Sequence, residues 1–314
     1  MRWLVVATIV GCGAGAGSGA AAGPDLPRAQ AGPGFWDQWG DGRAELSGYR
    51  LTTPRYDELR SGSAVLVFVT EDFTEGQRVK SDGGHGDEYP VLKLNEIRHF
   101  QTGIYDYEVM TSTFVRVDGT APIGQPVKVS LGMQEWCGHV YEQLLPRGSR
   151  VARVGHSYFD GEGDHADELP LPRDGVFADA LPMLVRGVVG DWPAAGVTIE
   201  VPVLPTLMSS RFAHQPPSWT TATITRGDAV SERTVPAGTF RVTEVRVALA
   251  TGLVTTWAVE VDAPHRIVGW TTSDGEVAEL TGSTRLPYWQ LHREGDEVNL
   301  AALGLAPATG LATP

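Results

Sequence analysis

Cys137, His139, His156 and Tyr158, with the carboxylates Glu135 and Asp160 close by in sequence, are the residues whose types and spacing could do chemistry in this chain. A cysteine beside an imidazole can act as a nucleophile, because the imidazole lowers the thiol pKa and a carboxylate such as Glu135 or Asp160 can orient the ring. Cys137, His139 and His156 could equally ligate zinc or copper, since both ions take thiolate and imidazole. A third reading is packing alone, with a buried thiol and two hydrogen-bonded histidines filling an interior. No C-x-x-C, H-E-x-x-H or G-x-S-x-G pattern accompanies them, nor a phosphate-binding loop or a strand-flanked dinucleotide fingerprint, so no cofactor is expected.

These residues need strands to bring them together. From 127 to 141 the odd positions Val127, Val129, Leu131, Met133, Glu135, Cys137, His139 and Tyr141 share one face of an extended chain, while Lys128, Ser130, Gln134 and Glu142 make the other more polar. This predicts one strand with its odd face turned inward. Pro146-Arg-Gly-Ser149 then reads as a four-residue hairpin loop. With Leu145 opposite Arg150, Tyr141 would pair with Val154, His139 with His156, Cys137 with Tyr158 and Glu135 with Asp160.

Most of the remaining chain also alternates with a period of two. The 314 residues include 38 Gly, 21 Pro and nine Trp, which suits a mainly β, antiparallel protein better than a helix bundle. Two half-barrel-like β parts are expected, an N-terminal one over 35–170 and a C-terminal one over 218–305. Between them, 171–217 reads as a helical and loop connection, with its best helix over 176–186 weakened by Pro182. The run Ala64-Val-Leu-Val-Phe-Val-Thr70 is nearly all apolar, as in a strand buried on both faces. Glu71, Asp72 and Arg98 adjoin apolar patterns and are expected to form a buried ion pair.

The two ends read differently. Residues 1–12 carry one positive charge and an apolar run ending in Ile9-Val-Gly-Cys12, the outline of an export signal with a lipobox whose Cys12 becomes lipidated. Residues 13–34 are Gly, Ala, Ser and Pro with few large side chains, a tether rather than a core. Residues 306–314 form a short tail. A formal net charge of −13 excludes an ordinary nucleic-acid binder, which needs clustered Lys and Arg against phosphate.

Arg55-Tyr56, Val69-Thr-Glu-Asp-Phe73, Val91-Leu-Lys-Leu-Asn95, Phe100-Gln-Thr-Gly-Ile-Tyr105, Met110-Thr-Ser-Thr-Phe114, Gln134-Glu-Trp-Cys-Gly-His139 and His156-Ser-Tyr-Phe159 together resemble, over roughly 36–305, a family of bacterial exported lipoproteins often labelled septum formation inhibitor Maf. The Arg-Arg pair of the Maf nucleotide pyrophosphatases occurs nowhere in this chain, so that activity is not expected from the label. Gly238-Thr-Phe-Arg-Val242, Trp257, Pro264 and Ile267-Val-Gly-Trp270 are similar to periplasmic half-barrels of the lipoprotein-carrier, LolA-like type. That similarity implies a curved antiparallel sheet around a hydrophobic ligand.

The expectation is therefore a lipoprotein anchored to the membrane through Cys12 and facing the periplasm from the outer membrane, Gly13 after the lipid-bearing cysteine favouring that membrane. It would bind a hydrophobic or lipid-like ligand or support the envelope, without catalysis. Tyr105, Phe114, Trp136, Tyr158, Trp257 and Trp270 are the aromatics expected to contact the ligand. The alternative is a Cys/His-dependent enzyme or metal-binding protein using Cys137, His139 and His156, with Glu135 as orienting carboxylate.

Overall fold

Alternating runs punctuated by turns give strands that pair with their sequence neighbours, and here such hairpins extend through most of the chain. The computed structural model describes residues 25–32 and 34–307. Cys12, the signal outline, most of the tether and the end of the tail lie outside the described residues.

After β1 (Arg28–Gln30) and a short helix α1 (Phe35–Trp39), the N-terminal half runs β2 (Ala44–Arg55), β3 (Glu58–Thr74), β4 (Glu88–Thr102), β5 (Tyr105–Arg116), β6 (Asp118–Pro122), β7 (Lys128–Glu135), β8 (Gly138–Arg147), β9 (Arg150–Ser157) and β10 (His165–Pro170). A middle segment follows with β11 (Val176–Phe177), a 3-10 turn at Ala178–Ala180, α2 (Leu181–Val185), β12 (Thr198–Leu204) and α3 (Leu207–Phe212). The C-terminal half contains β13 (Thr220–Arg226), β14 (Ser231–Val235), β15 (Gly238–Leu249), β16 (Val254–Glu260), β17 (Ile267–Thr272) and β18 (Val277–Leu286).

The chain is mainly β and antiparallel. One 16-stranded sheet runs in the order β10-β9-β8-β7-β5-β4-β3-β2-β18-β17-β16-β15-β13-β12-β11, with β14 also on β15, and β1 pairs separately with β6. Only β11 and β12 pair in parallel among the described residues. The two halves belong to one sheet because β18 pairs with β2, and no pairing of β10 with β11 closes it into a barrel.

The middle segment packs on one face, called the inner face below. Val176, Leu181, Met183, Leu184, Val185 and Val189 join the main core with Tyr49, Leu66 and Phe68 of the N-terminal half and Val245, Trp257 and Trp270 of the C-terminal half. Phe177, Leu204 and Leu207 join a second core with Val129, Leu131, Met133 and Leu144. Pro182 sits in the first turn of α2, where its missing N–H is not needed, so it starts this helix rather than weakening it. Arg226 closes the other end by donating to the carbonyls of Leu184, Val185 and Pro193 at 2.6–3.0 Å.

The opposite face is covered over β2, β3 and β18 by the C-terminal segment, whose Leu300, Leu303 and Leu305 pack on Leu46, Val67 and Val69. The near-continuous apolar run of β3 is thus buried on both faces. A Cβ on Gly48 or Gly282 would lie 2.3 Å from a carbonyl oxygen of this segment, so its close approach requires glycine at both positions.

Candidate functional site

Period-two alternation on β2, β4, β5, β16 and β17 sends Thr53, Glu96, Arg98, Thr111, Trp257 and Trp270 to the inner face. There they line a cleft of about 740 Å³ beneath Pro182 of α2 and Met208 and Phe212 of α3. The floor is polar. Arg98 donates through Nη1 to Glu276 Oε2 at 2.6 Å and through Nε to Glu96 Oε1 at 2.5 Å. Glu276 also accepts from Thr53 Oγ1 at 2.8 Å and from the Trp270 indole at 2.7 Å.

Burial alone would raise the Glu276 carboxyl, but the Arg98 charge and the hydrogen bonds from Arg98, Trp270 and Thr53 together hold it below the ordinary carboxylate value. Burial likewise works against the charge on Arg98, and Glu276 and Glu96 outweigh it. Arg98 is therefore fully held by its two carboxylate partners, which leaves the floor with one carboxylate more than its guanidinium neutralises. Asp179 is different: burial, reinforced by the nearby Glu96 charge, pushes its carboxyl up to about 8, against the hydrogen bond it receives from the Leu207 N–H at 3.3 Å.

That shift gives a stability prediction. The folded chain keeps a proton on Asp179 that the unfolded chain loses above pH ~4, so the unfolded state binds fewer protons and stability falls as pH rises toward 8. Asp179→Asn has no such proton to keep. Its stability relative to the parent should rise by about 1.4 kcal/mol per pH unit between those limits. Urea unfolding of both proteins from pH 5 to 8 checks this, and parallel pH profiles would contradict it.

The cleft walls are largely apolar, from Val109, Pro182, Met208, Phe212, Leu253 and Trp257. At the mouth, the β2–β3 turn places Tyr56 and Asp57 at φ 55° and 60° and leaves Tyr56 and Leu59 exposed. Arg55 lies between the Tyr56 and Phe212 rings, 4.3 and 4.6 Å from their centroids. It donates to Tyr107 Oη at 3.2 Å and to the Phe212 carbonyl at 3.3 Å.

The 127–160 stretch is arranged differently from its sequence pattern. The strand does not run through 141: Glu135 pairs with Gly138, so Trp136 and Cys137 form a two-residue turn. That turn reverses the parity, burying odd positions Val129, Leu131 and Met133 on β7 but even positions Val140, Glu142 and Leu144 on β8. The next hairpin turns at Gly148-Ser149, pairing Arg147 with Arg150 and Tyr141 with His156, two residues away from the expected register. His139 and His156 still share a face, but it is exposed.

Cys137 is exposed, and the Glu135 hydrogen bond and charge raise its thiol pKa, which opposes thiolate formation. His156 Nδ1 lies 3.0 Å from Asp164 Oδ1. His139 borders a separate depression with Asp106, Glu108, Glu135 and Trp136. No group of three or more His, Cys, Asp or Glu side chains is arranged to hold a metal ion among the described residues, so Cys137, His139 and His156 do not form a ligand set.

Of the aromatics expected at a ligand, Trp257 and Trp270 line the cleft. Trp136 and Tyr158 are 70 % and 68 % exposed on the outside. Phe114 packs on Phe73 at 4.5 Å in a small separate core, and Tyr105 lies against Tyr107 at 5.9 Å, outside the cleft lining. Arg98 pairs with Glu96 and Glu276 instead of Glu71 or Asp72, while Glu71 pairs with Lys93 at 2.5 Å. Glu96, Asp179 and Glu276 were not singled out from sequence. The row Leu92, Leu94, Glu96, Arg98 and Phe100 carried a period-two signal for the first, whereas Asp179 and Glu276 come from segments with no neighbour in that row.

Compared with known proteins, the chain matches no family model, no curated protein and no solved structure.

Proposed function

We propose that this protein binds a hydrophobic or lipid-like ligand in the inner-face cleft, as a membrane-anchored lipoprotein facing the periplasm. The observation that carries the ligand reading is the cleft itself. It is about 740 Å³, with apolar walls and a polar floor where Arg98 is held between Glu96 and Glu276. This volume lies within the ~300–1,000 Å³ range of sites that enclose most of a drug-sized ligand. A single-chain amphiphile suits it, with its apolar chain against Met208, Phe212, Leu253 and Trp257 and its polar group toward the floor.

The anchor reading rests on the signal outline and Cys12 in the sequence. The Cys/His alternative is weaker, because Glu135 works against the nucleophilic form of Cys137.

Titration with the neutral apolar probe N-phenyl-1-naphthylamine tests ligand binding. Saturable fluorescence enhancement at one site per chain, reversed by competing amphiphiles, is expected. A response that is absent or rises linearly without saturating would overturn the proposal.

A further inference from the structure

We infer that the cleft selects a cationic amphiphile, an alkylamine or alkylammonium compound, over fatty acids and other anionic lipids. This rests on the proposed binding of an amphiphile and specifies its polar group. Six carboxyl groups but two arginines line the cleft, with no lysine or histidine among the lining residues.

Neither arginine is placed as an anion receptor. Arg98 is 6 % exposed and held by Glu96 and Glu276 at 2.5 and 2.6 Å, so an incoming carboxylate or phosphate would compete with two ions already in place. Arg55 uses all three guanidinium nitrogens at the mouth, on the Tyr56 and Tyr107 hydroxyls and the Phe212 carbonyl.

The acids, by contrast, have acceptor capacity left. Glu96 keeps a side-chain exposure of 20 % and spends one oxygen on Arg98. Asp179 lines the cleft at 7 % exposure, and among the described residues it receives one hydrogen bond from another residue, the Leu207 N–H on Oδ2. An ammonium group here would donate a charge-assisted hydrogen bond to the Glu96 carboxylate and a further one to the carbonyl oxygen of the protonated Asp179 carboxyl, and a quaternary ammonium would gain the Glu96 charge and the face of a neighbouring indole. An alkyl chain would extend from there along the apolar wall toward Phe212 and Leu253.

The test compares three ligands of one chain length, decylamine, decanol and decanoate, by displacement of N-phenyl-1-naphthylamine at pH 7 and low salt. Decylamine should bind at least tenfold more tightly than decanoate, with decanol between them. Glu96→Gln should weaken decylamine several-fold more than it weakens decanol, with thermal unfolding showing that the variant is folded. Decanoate binding as well as or better than decylamine would overturn the inference and point to Arg55 as an anion site, leaving the amphiphile reading intact. Failure of all three ligands and of the probe itself would overturn that underlying reading.

Discussion

Arg186→Ala is expected to cost about 3–5 kcal/mol of stability, the largest effect of any single truncation considered, because it strands a buried charge. The Arg186 side chain is 0 % exposed and its partner Glu45 2 %, with Nη1 to Oε1 at 2.7 Å and Nη2 to Oε2 at 3.0 Å. The same guanidinium donates to the carbonyls of His265 and Pro264 at 3.0 and 2.9 Å, and it lies over the Phe68 ring at 4.4 Å. Truncation therefore leaves a carboxylate and two carbonyls without their donor in a dry interior. Arg186 follows the last residue of α2, so these bonds also fix the segment that carries Pro182 and Asp179 over the cleft.

Urea unfolding followed by far-UV circular dichroism measures the loss. A second variant, Glu45→Leu with Arg186→Met, separates the stranded charge from loss of packing: replacing both ions by apolar groups should recover most of the stability. A loss below about 1 kcal/mol for Arg186→Ala would show that the pair is hydrated rather than buried.

The largest expected effect on binding comes from closing the mouth. Ala213 follows α3, is exposed, and lines the cleft beside Phe212. An indole there would occupy the route along the apolar wall without entering either core. Ala213→Trp is expected to weaken N-phenyl-1-naphthylamine at least tenfold while the unfolding midpoint stays within the ordinary range of a surface substitution, about 0.5 kcal/mol. Displacement titration and thermal unfolding on the same preparation separate a blocked site from a damaged fold. Unchanged affinity would place the probe elsewhere on the protein.

The architecture was legible where local pattern and tertiary contact agree. Strand alternation, turn residues and the apolar run of β3 each imply an antiparallel β protein, because hairpins need only neighbouring segments to pair. The turn at Trp136-Cys137 was hidden for a physical reason. It contains no Gly, Pro, Asn or Asp to mark it, and its one local trace is a shift of apolar residues from odd positions Leu131 and Met133 to even positions Trp136, Val140 and Leu144, which Cys137 and Tyr141 at odd positions mask. A two-residue slip at Gly148-Ser149 kept His139 and His156 on a shared face while changing partners, as expected from the period of two, but the parity reversal on β8 turned that face outward.

The site was legible only in part. Trp257 and Trp270 stood out as large aromatics on alternating strands. The floor depends on contacts between distant segments: Arg98 meets Glu276 across 178 positions, and Asp179 meets Leu207 across the middle segment. No local periodicity encodes such meetings. The pairing of β18 with β2, which brings Glu276 to Thr53, is likewise a long-range consequence of the whole sheet.

Native mass spectrometry of the full-length protein purified in mild detergent from the cells that produce it tests the proposed ligand binding in the cleft most directly. One amphiphile-sized mass per chain on the parent protein, displaced by decylamine and missing from Ala213→Trp, is the result expected. A bare parent spectrum, or the same adduct retained by Ala213→Trp, would contradict it.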